Sequence, residues 1–95
     1  MMKQVEISEP GGPEVLVLRE AEIAEPKPFE VLIKVVAAGV NRPDIVQRQG
    51  NYKPPEGASE IPGLEVSGII TRVGYDVRGY NAGDKVCALL TGGGY

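Results

Sequence analysis

VLIKVVAAGVNRPDIVQRQGNY, Val31 to Tyr52, changes its period halfway along. From Val31 to Ala38, Val31, Ile33 and Val35 fall on one face and Leu32, Lys34 and Val36 on the other, the two-residue repeat of a strand. A strand that is apolar on both faces is expected at the centre of a sheet. At Asn41 the pattern becomes that of a short helix. With Asn41 as N-cap, its side-chain oxygen is placed to accept the Asp44 N–H, and the Asp44 carboxylate to accept the N–H of Asn41, a variant of the capping box. Pro43 suits a first turn because it has no N–H to satisfy. Ile45 and Val46 then face the core, Gln47, Arg48 and Gln49 face solvent, and Gly50 stops the helix.

The rest of the chain reads as short strands separated by turns. Met1 to Ser8 alternates loosely, Glu9 to Pro13 forces a turn, and Val15 to Glu20 is a second strand. Pro26 and Pro28 keep the following connector out of a ladder, and its acidic residues suit a solvated face. Lys53 to Pro62 is a proline-stiffened loop. Leu64 to Val73 is again strand-like, with Gly68 marking a bulge, a bend or a close backbone approach. A turn region from Tyr75 to Asp84 leads into a last strand, Lys85 to Leu90, and then Thr91-Gly-Gly-Gly-Tyr95. The pattern specifies a mainly β fold with one small helix, a sandwich or partly open barrel.

Composition narrows the function classes. The 95 residues suffice for one small domain, and a net charge of −3 with dispersed basic residues gives no nucleic-acid or membrane surface. The 13 glycines and 8 prolines fall singly between apolar runs and act as turn punctuation. Cys87 has no partner for an internal disulfide and reads as a small buried hydrophobe in VCALL. With no basic-then-apolar leader and no long apolar span, the cytoplasm is the default compartment.

Four side chains are candidates for chemistry. Capping explains Asn41 and Asp44 without any function, yet both stand where a strand ends and a turn begins, a common place for sites. Tyr52 is either an aromatic packed back on the helix end or a hydrogen-bond donor at the mouth of a cleft. Glu65 opens an apolar strand. If it faces inward it needs a partner, Arg42 or a backbone N–H; if outward it is a solvated edge charge.

GVNRPD from Gly39 to Asp44, Gly50, IPGLEVSG from Ile61 to Gly68 and AGDKV from Ala82 to Val86, in this order and with these gaps, resemble the N-terminal catalytic domain of medium-chain dehydrogenases/reductases. Asn41 with Asp44, the RQGNY run and the ending LLTGGGY most resemble the zinc-independent NAD(P)H quinone oxidoreductases of the zeta-crystallin-like group. The resemblance implies a GroES-like β-barrel over residues 1–95, incomplete and cut before the Rossmann domain. It also implies that the positions of Asn41 and Leu64 carry a zinc-binding cysteine and histidine in the zinc-dependent relatives. Three N, S or O ligands are needed for a catalytic zinc, and the chain has no histidine.

By the same resemblance, Asn41, Asp44 and Tyr52 line the catalytic centre, Asn41 and Tyr52 contact the nicotinamide cofactor, and Glu65 supports them from behind. NADPH or NADH would be held mainly by a following domain, because the glycine-rich turn of dinucleotide sites does not occur here. The substrate would be a small-molecule quinone and the parent a homodimer, with this piece inactive alone. Three other readings remain: an enoyl-thioester reductase of the same superfamily, a non-enzymatic co-chaperonin-like binding module, and a structural scaffold.

Overall fold

The computed structural model describes residues 1–95. Two antiparallel sheets carry the chain. The first pairs β1 (Met2–Ile7) with β2 (Leu16–Ala21), in register from Met2 opposite Ala21 to Ile7 opposite Leu16. A 3-10 turn, Pro13–Val15, lies between them and buries Val15. The second sheet has the order β3 (Val31–Ala38), β4 (Glu65–Val73), β5 (Lys85–Leu89). One helix, α1 (Arg42–Arg48), connects β3 towards β4; at 7 residues it is too short to cross a membrane.

The mainly β architecture with a single helix agrees with the reading from sequence, and the two sheets do not close into a complete barrel. The radius of gyration is 13.9 Å, against roughly 12.4 Å for a compact chain of this length. Val66, Gly68 and Ile70 point inward from alternate positions of β4, and Pro62 and Val15 complete a small core.

Three expectations are corrected. The central strand is β4, and β3 is an edge: both β3 and β5 use β4 as their ladder partner, and Val35 and Val36 are exposed. The two apolar faces of β3 express a demand for cover that this chain does not meet. Gln47 is buried, because its Nε2 donates to the Glu60 carbonyl oxygen (2.8 Å) and ties the helix to the proline-rich loop. Cys87 is exposed, since β5 is also an edge strand and Cys87 lies on its open face opposite Ser67.

Arg48 does more than face solvent. Its carbonyl oxygen accepts the Gly11 N–H (3.0 Å) and its Nε donates to the Gly11 carbonyl (3.1 Å). This two-bond clasp satisfies a carbonyl in the last turn of the helix and fixes the β1–β2 connection against it. Gly50 follows with φ +85°, the left-handed conformation that ends the helix. Glu25 pairs with Arg72 across two exposed side chains, a contact worth at most ~1 kcal/mol.

Candidate active-site wall

The Asp44 carboxylate is the hub of the region where β3 ends. It is buried, and three donors from three parts of the chain converge on it. The Asn41 N–H donates to Oδ2 (2.9 Å), which is the Asp44 arm of the capping box. The Gly63 N–H donates to Oδ1 (3.1 Å), and the Tyr95 hydroxyl donates to Oδ2 (2.6 Å). Burying a carboxylate costs free energy unless hydrogen bonds replace its water, and here they do. Asp44 thereby joins the helix start, the loop before β4 and the end of the chain.

Asn41 continues the network in the other direction. Its Nδ2 donates to Glu65 Oε1 (3.0 Å), while the Asp44 N–H donates to its main-chain oxygen (3.0 Å). Glu65 is half-buried, so of the two orientations weighed for it, the inward one holds. Its side-chain partner is Asn41, and Arg42 is exposed. Gly39 makes this possible. A Cβ there would fall onto the Glu65 carboxylate, 2.5 Å from Cδ, so only a glycine lets the carboxylate lie across the end of β3.

Tyr95 faces two acceptors with one proton: Asp44 Oδ2 at 2.6 Å and the Gly39 carbonyl oxygen at 3.0 Å. The nearer, charged one takes it. Burial pushes the Tyr95 hydroxyl well above the usual tyrosine value of 10, and the hydrogen bond to Asp44 and the charges of Asp44 and Glu65 push it the same way. The unfolded chain therefore loses this proton first. The stabilisation is complete below about pH 10 and drains away as the pH rises from there towards the folded-state value. Urea midpoints measured from about pH 8 to about pH 11 should fall more steeply for the native chain than for Tyr95→Phe. Equal slopes would show that Tyr95 is not held as described.

Two hollows adjoin the network, one at Glu65 and one at Tyr95. A shallow depression of about 320 Å³ is bordered by Gly39, Glu65, Ser67 and Cys87. A larger cleft of about 1080 Å³ opens between the sheets and touches Tyr95. Of the polar groups predicted from sequence, Glu65 alone borders the smaller one and none borders the larger, so size alone does not locate the chemistry.

Asn41, Asp44 and Glu65 are thus brought together. Tyr52 is not: it is half-buried, its hydroxyl makes no hydrogen bond within the chain, and it borders neither hollow. Sequence reasoning missed Tyr95 and Gly63 as the partners of Asp44. The available signal was an aromatic hydroxyl after a glycine run and a carboxylate needing more than one donor. The chain's Cys, Asp and Glu side chains form no group of three suited to a metal ion. Asn41 engages Glu65 and Leu64 has no donor atom, so these positions do not fit zinc.

Residues 27–94 match the family model for the alcohol dehydrogenase GroES-like domain. The quinone oxidoreductase of Lama guanicoe is 44% identical over 98 residues, a match covering 100% of this chain and 29% of that protein. The crystal structure of Escherichia coli quinone oxidoreductase complexed with NADPH superposes with a TM-score of 0.81 at 36% identity, over 94% of this chain and 27% of the other. Human synaptic vesicle membrane protein VAT-1 homolog-like protein does so with a TM-score of 0.81 at 38% identity, over 93% and 29%. The chain spans less than a third of the length of each of these three relatives.

Proposed function

Because the chain belongs to the alcohol dehydrogenase GroES-like domain family, we propose that it forms the catalytic-domain wall of a nicotinamide-dependent, zinc-independent quinone oxidoreductase. The observation that carries this reading is the Asn41–Glu65 pair at the end of β3. By resemblance, Asn41, its amide committed to Glu65, and Leu64 stand where zinc-dependent relatives carry metal ligands, in a chain 44% identical to a quinone oxidoreductase. NADPH or NADH, when bound, supplies a hydride, which with one proton from solvent converts a quinone to a hydroquinone. A quinone accepts hydride without a strong Lewis acid, so alignment and hydrogen bonding suffice.

The chain's own residues supply position. Glu65 fixes the Asn41 amide from behind, and Asp44 fixes the Asn41 main chain, so the amide is presented in one orientation towards the reacting ring. Tyr52 lies outside this network, and its role is contact with cofactor or quinone. The reading carries with it a homodimeric parent working in the cytoplasm.

In the intact parent, Asn41→Ala should lower quinone turnover by ~10–100-fold with little loss of fold, since one positioning group is lost from the site. Tyr52→Ala should also lose activity without loss of fold, and added zinc should change nothing. Residues 1–95 alone should oxidise NAD(P)H with benzoquinone at background rate. An Asn41→Ala parent with full quinone turnover, or a parent that prefers an enoyl thioester to benzoquinone, overturns the assignment.

A further inference from the structure

Asp44 holds more donors than a helix cap needs. The capping box asks only that its carboxylate accept the Asn41 N–H, and a carboxylate in contact with water can do that. Here the group is buried and receives two further donors, the Gly63 N–H on Oδ1 and the Tyr95 hydroxyl on Oδ2. Gly63 fixes one oxygen and Tyr95 the other, so the carboxylate cannot turn about its terminal bond without losing a partner. A helix of 7 residues does not require such restraint. A group that must hold its neighbour in place within ~0.5 Å does.

The Tyr95 hydroxyl is itself mounted on fixed backbone. The Tyr95 N–H donates to the Pro62 carbonyl oxygen (3.0 Å), and the Tyr95 carbonyl oxygen accepts the Val5 N–H (3.1 Å). Two more bonds, from the Gly93 N–H to the Ile61 carbonyl (2.7 Å) and from the Gly94 N–H to the Gly63 carbonyl (3.1 Å), lay this segment against the loop before β4. Such closeness needs glycine on both sides. A Cβ on Gly63 would lie 2.8 Å from the Gly94 Cα, and one on Gly94 would lie 3.0 Å from the Gly63 carbonyl carbon.

The backbone that carries Tyr95 thus runs along the backbone that carries Gly63 and Glu65. Tyr95 and Gly63 fix Asp44, and Glu65 fixes the Asn41 amide. Asp44 Oδ2 accepts the Tyr95 hydroxyl at 2.6 Å and the Asn41 N–H at 2.9 Å. Because the two donors share that one atom, the placement of the hydroxyl is passed on to the Asn41 main chain.

We propose that Tyr95 is a positioning residue for quinone reduction: through the shared Asp44 oxygen, its hydroxyl holds the Asn41 main chain, and with it the amide, in the orientation the reacting ring requires. Tyr95 does not touch substrate in this scheme and does not give up its proton, since burial and the neighbouring Asp44 and Glu65 keep the hydroxyl protonated at neutral pH. The inference rests on the quinone-reductase reading, in which Asn41 faces the reacting ring.

Tyr95→Phe in the intact parent keeps the ring and removes the hydroxyl. Its quinone turnover should fall by ~10-fold, with the KM for quinone within ~2-fold of native. In an Asn41→Ala background the same change should cost less than ~2-fold, because the group that Tyr95 positions is already gone. A smaller folded fraction would scale both backgrounds alike. The second readout needs no turnover: in the 15N-labelled, cofactor-free parent, Tyr95→Phe should speed amide exchange at Asn41 by ~10-fold relative to Ile70 in β4, whereas a general loss of stability would speed both alike. Undiminished turnover of Tyr95→Phe, a loss seen only in KM, an equal fold-loss in the two backgrounds, or equal acceleration at Asn41 and Ile70 overturns the inference and leaves the quinone reading in place. Full turnover of Asn41→Ala overturns both.

Discussion

Asp44→Ala should lower the unfolding free energy by ~4 kcal/mol, because it strips the shared acceptor from three donors at once. The Gly63 N–H is buried and would lose its partner, and the Asn41 N–H and Tyr95 hydroxyl would lose theirs at the helix start and the chain end. Each hydrogen bond to a charged group contributes ~1.5–3 kcal/mol, and an orphaned buried donor adds a desolvation cost of similar size. Small domains have ~5–15 kcal/mol in all, so the alanine variant would lose a large share of its stability. Asp44→Asn keeps the shape and one acceptor oxygen but turns an NH₂ towards a donor, so it should lose ~2 kcal/mol. Urea unfolding followed by far-UV circular dichroism measures both. A loss below ~1 kcal/mol for Asp44→Ala would mean the three donors find other acceptors.

Gly68→Ala should be nearly as damaging, for a reason of space. A Cβ at Gly68 would fall onto the Lys34 carbonyl oxygen, with Ile33 Cγ2 at 2.8 Å and the Lys34 carbonyl carbon at 2.9 Å. The obstruction is backbone of the neighbouring strand, which cannot rotate aside as a side chain can. β3 would have to move off β4 where Val35 pairs with Gly68, next to the register shift between Val35 and Ala37. The expected cost is ~2–4 kcal/mol. Gly79→Ala is the control: nothing lies within 4 Å of its Cβ, but its φ of +84° disfavours a side chain, for a cost of ~1 kcal/mol. If the two variants unfold at the same urea concentration, β3 and β4 are not packed as closely as described.

Gly68 shows how far reading the chain alone reaches. A glycine inside an apolar strand limits the choices to a bulge, a bend or a close approach, and here the close approach and a neighbouring bulge in β3 occur together. The helix was equally legible. N-cap, first-turn proline, acid at the third position and terminal glycine are local instructions, and α1 (Arg42–Arg48) obeys them. Its solvent side was not legible, because Gln47 is buried through the Glu60 carbonyl, an acceptor that the distant loop brings to it.

The candidate site divides in the same way. That Asn41 and Asp44 stand at a strand-to-helix junction follows from neighbours in sequence. That Glu65 meets Asn41, and that Tyr95 meets Asp44 across 51 positions, depends on loops whose closure leaves no local periodicity. β3 gave the sharpest contrast: its composition states that both faces want cover, and says nothing of which side is left open.

The sequence by itself determined the strands, the capped helix and the family, because each rests on short-range sterics, capping hydrogen bonds and side-chain alternation. Only the tertiary structure decided that β4 is the centre, that Asp44 is the hub and that Glu65 turns inward to Asn41. Those are matters of which distant segment reaches a given donor, acceptor or edge first, and chain topology settles them, not local preference.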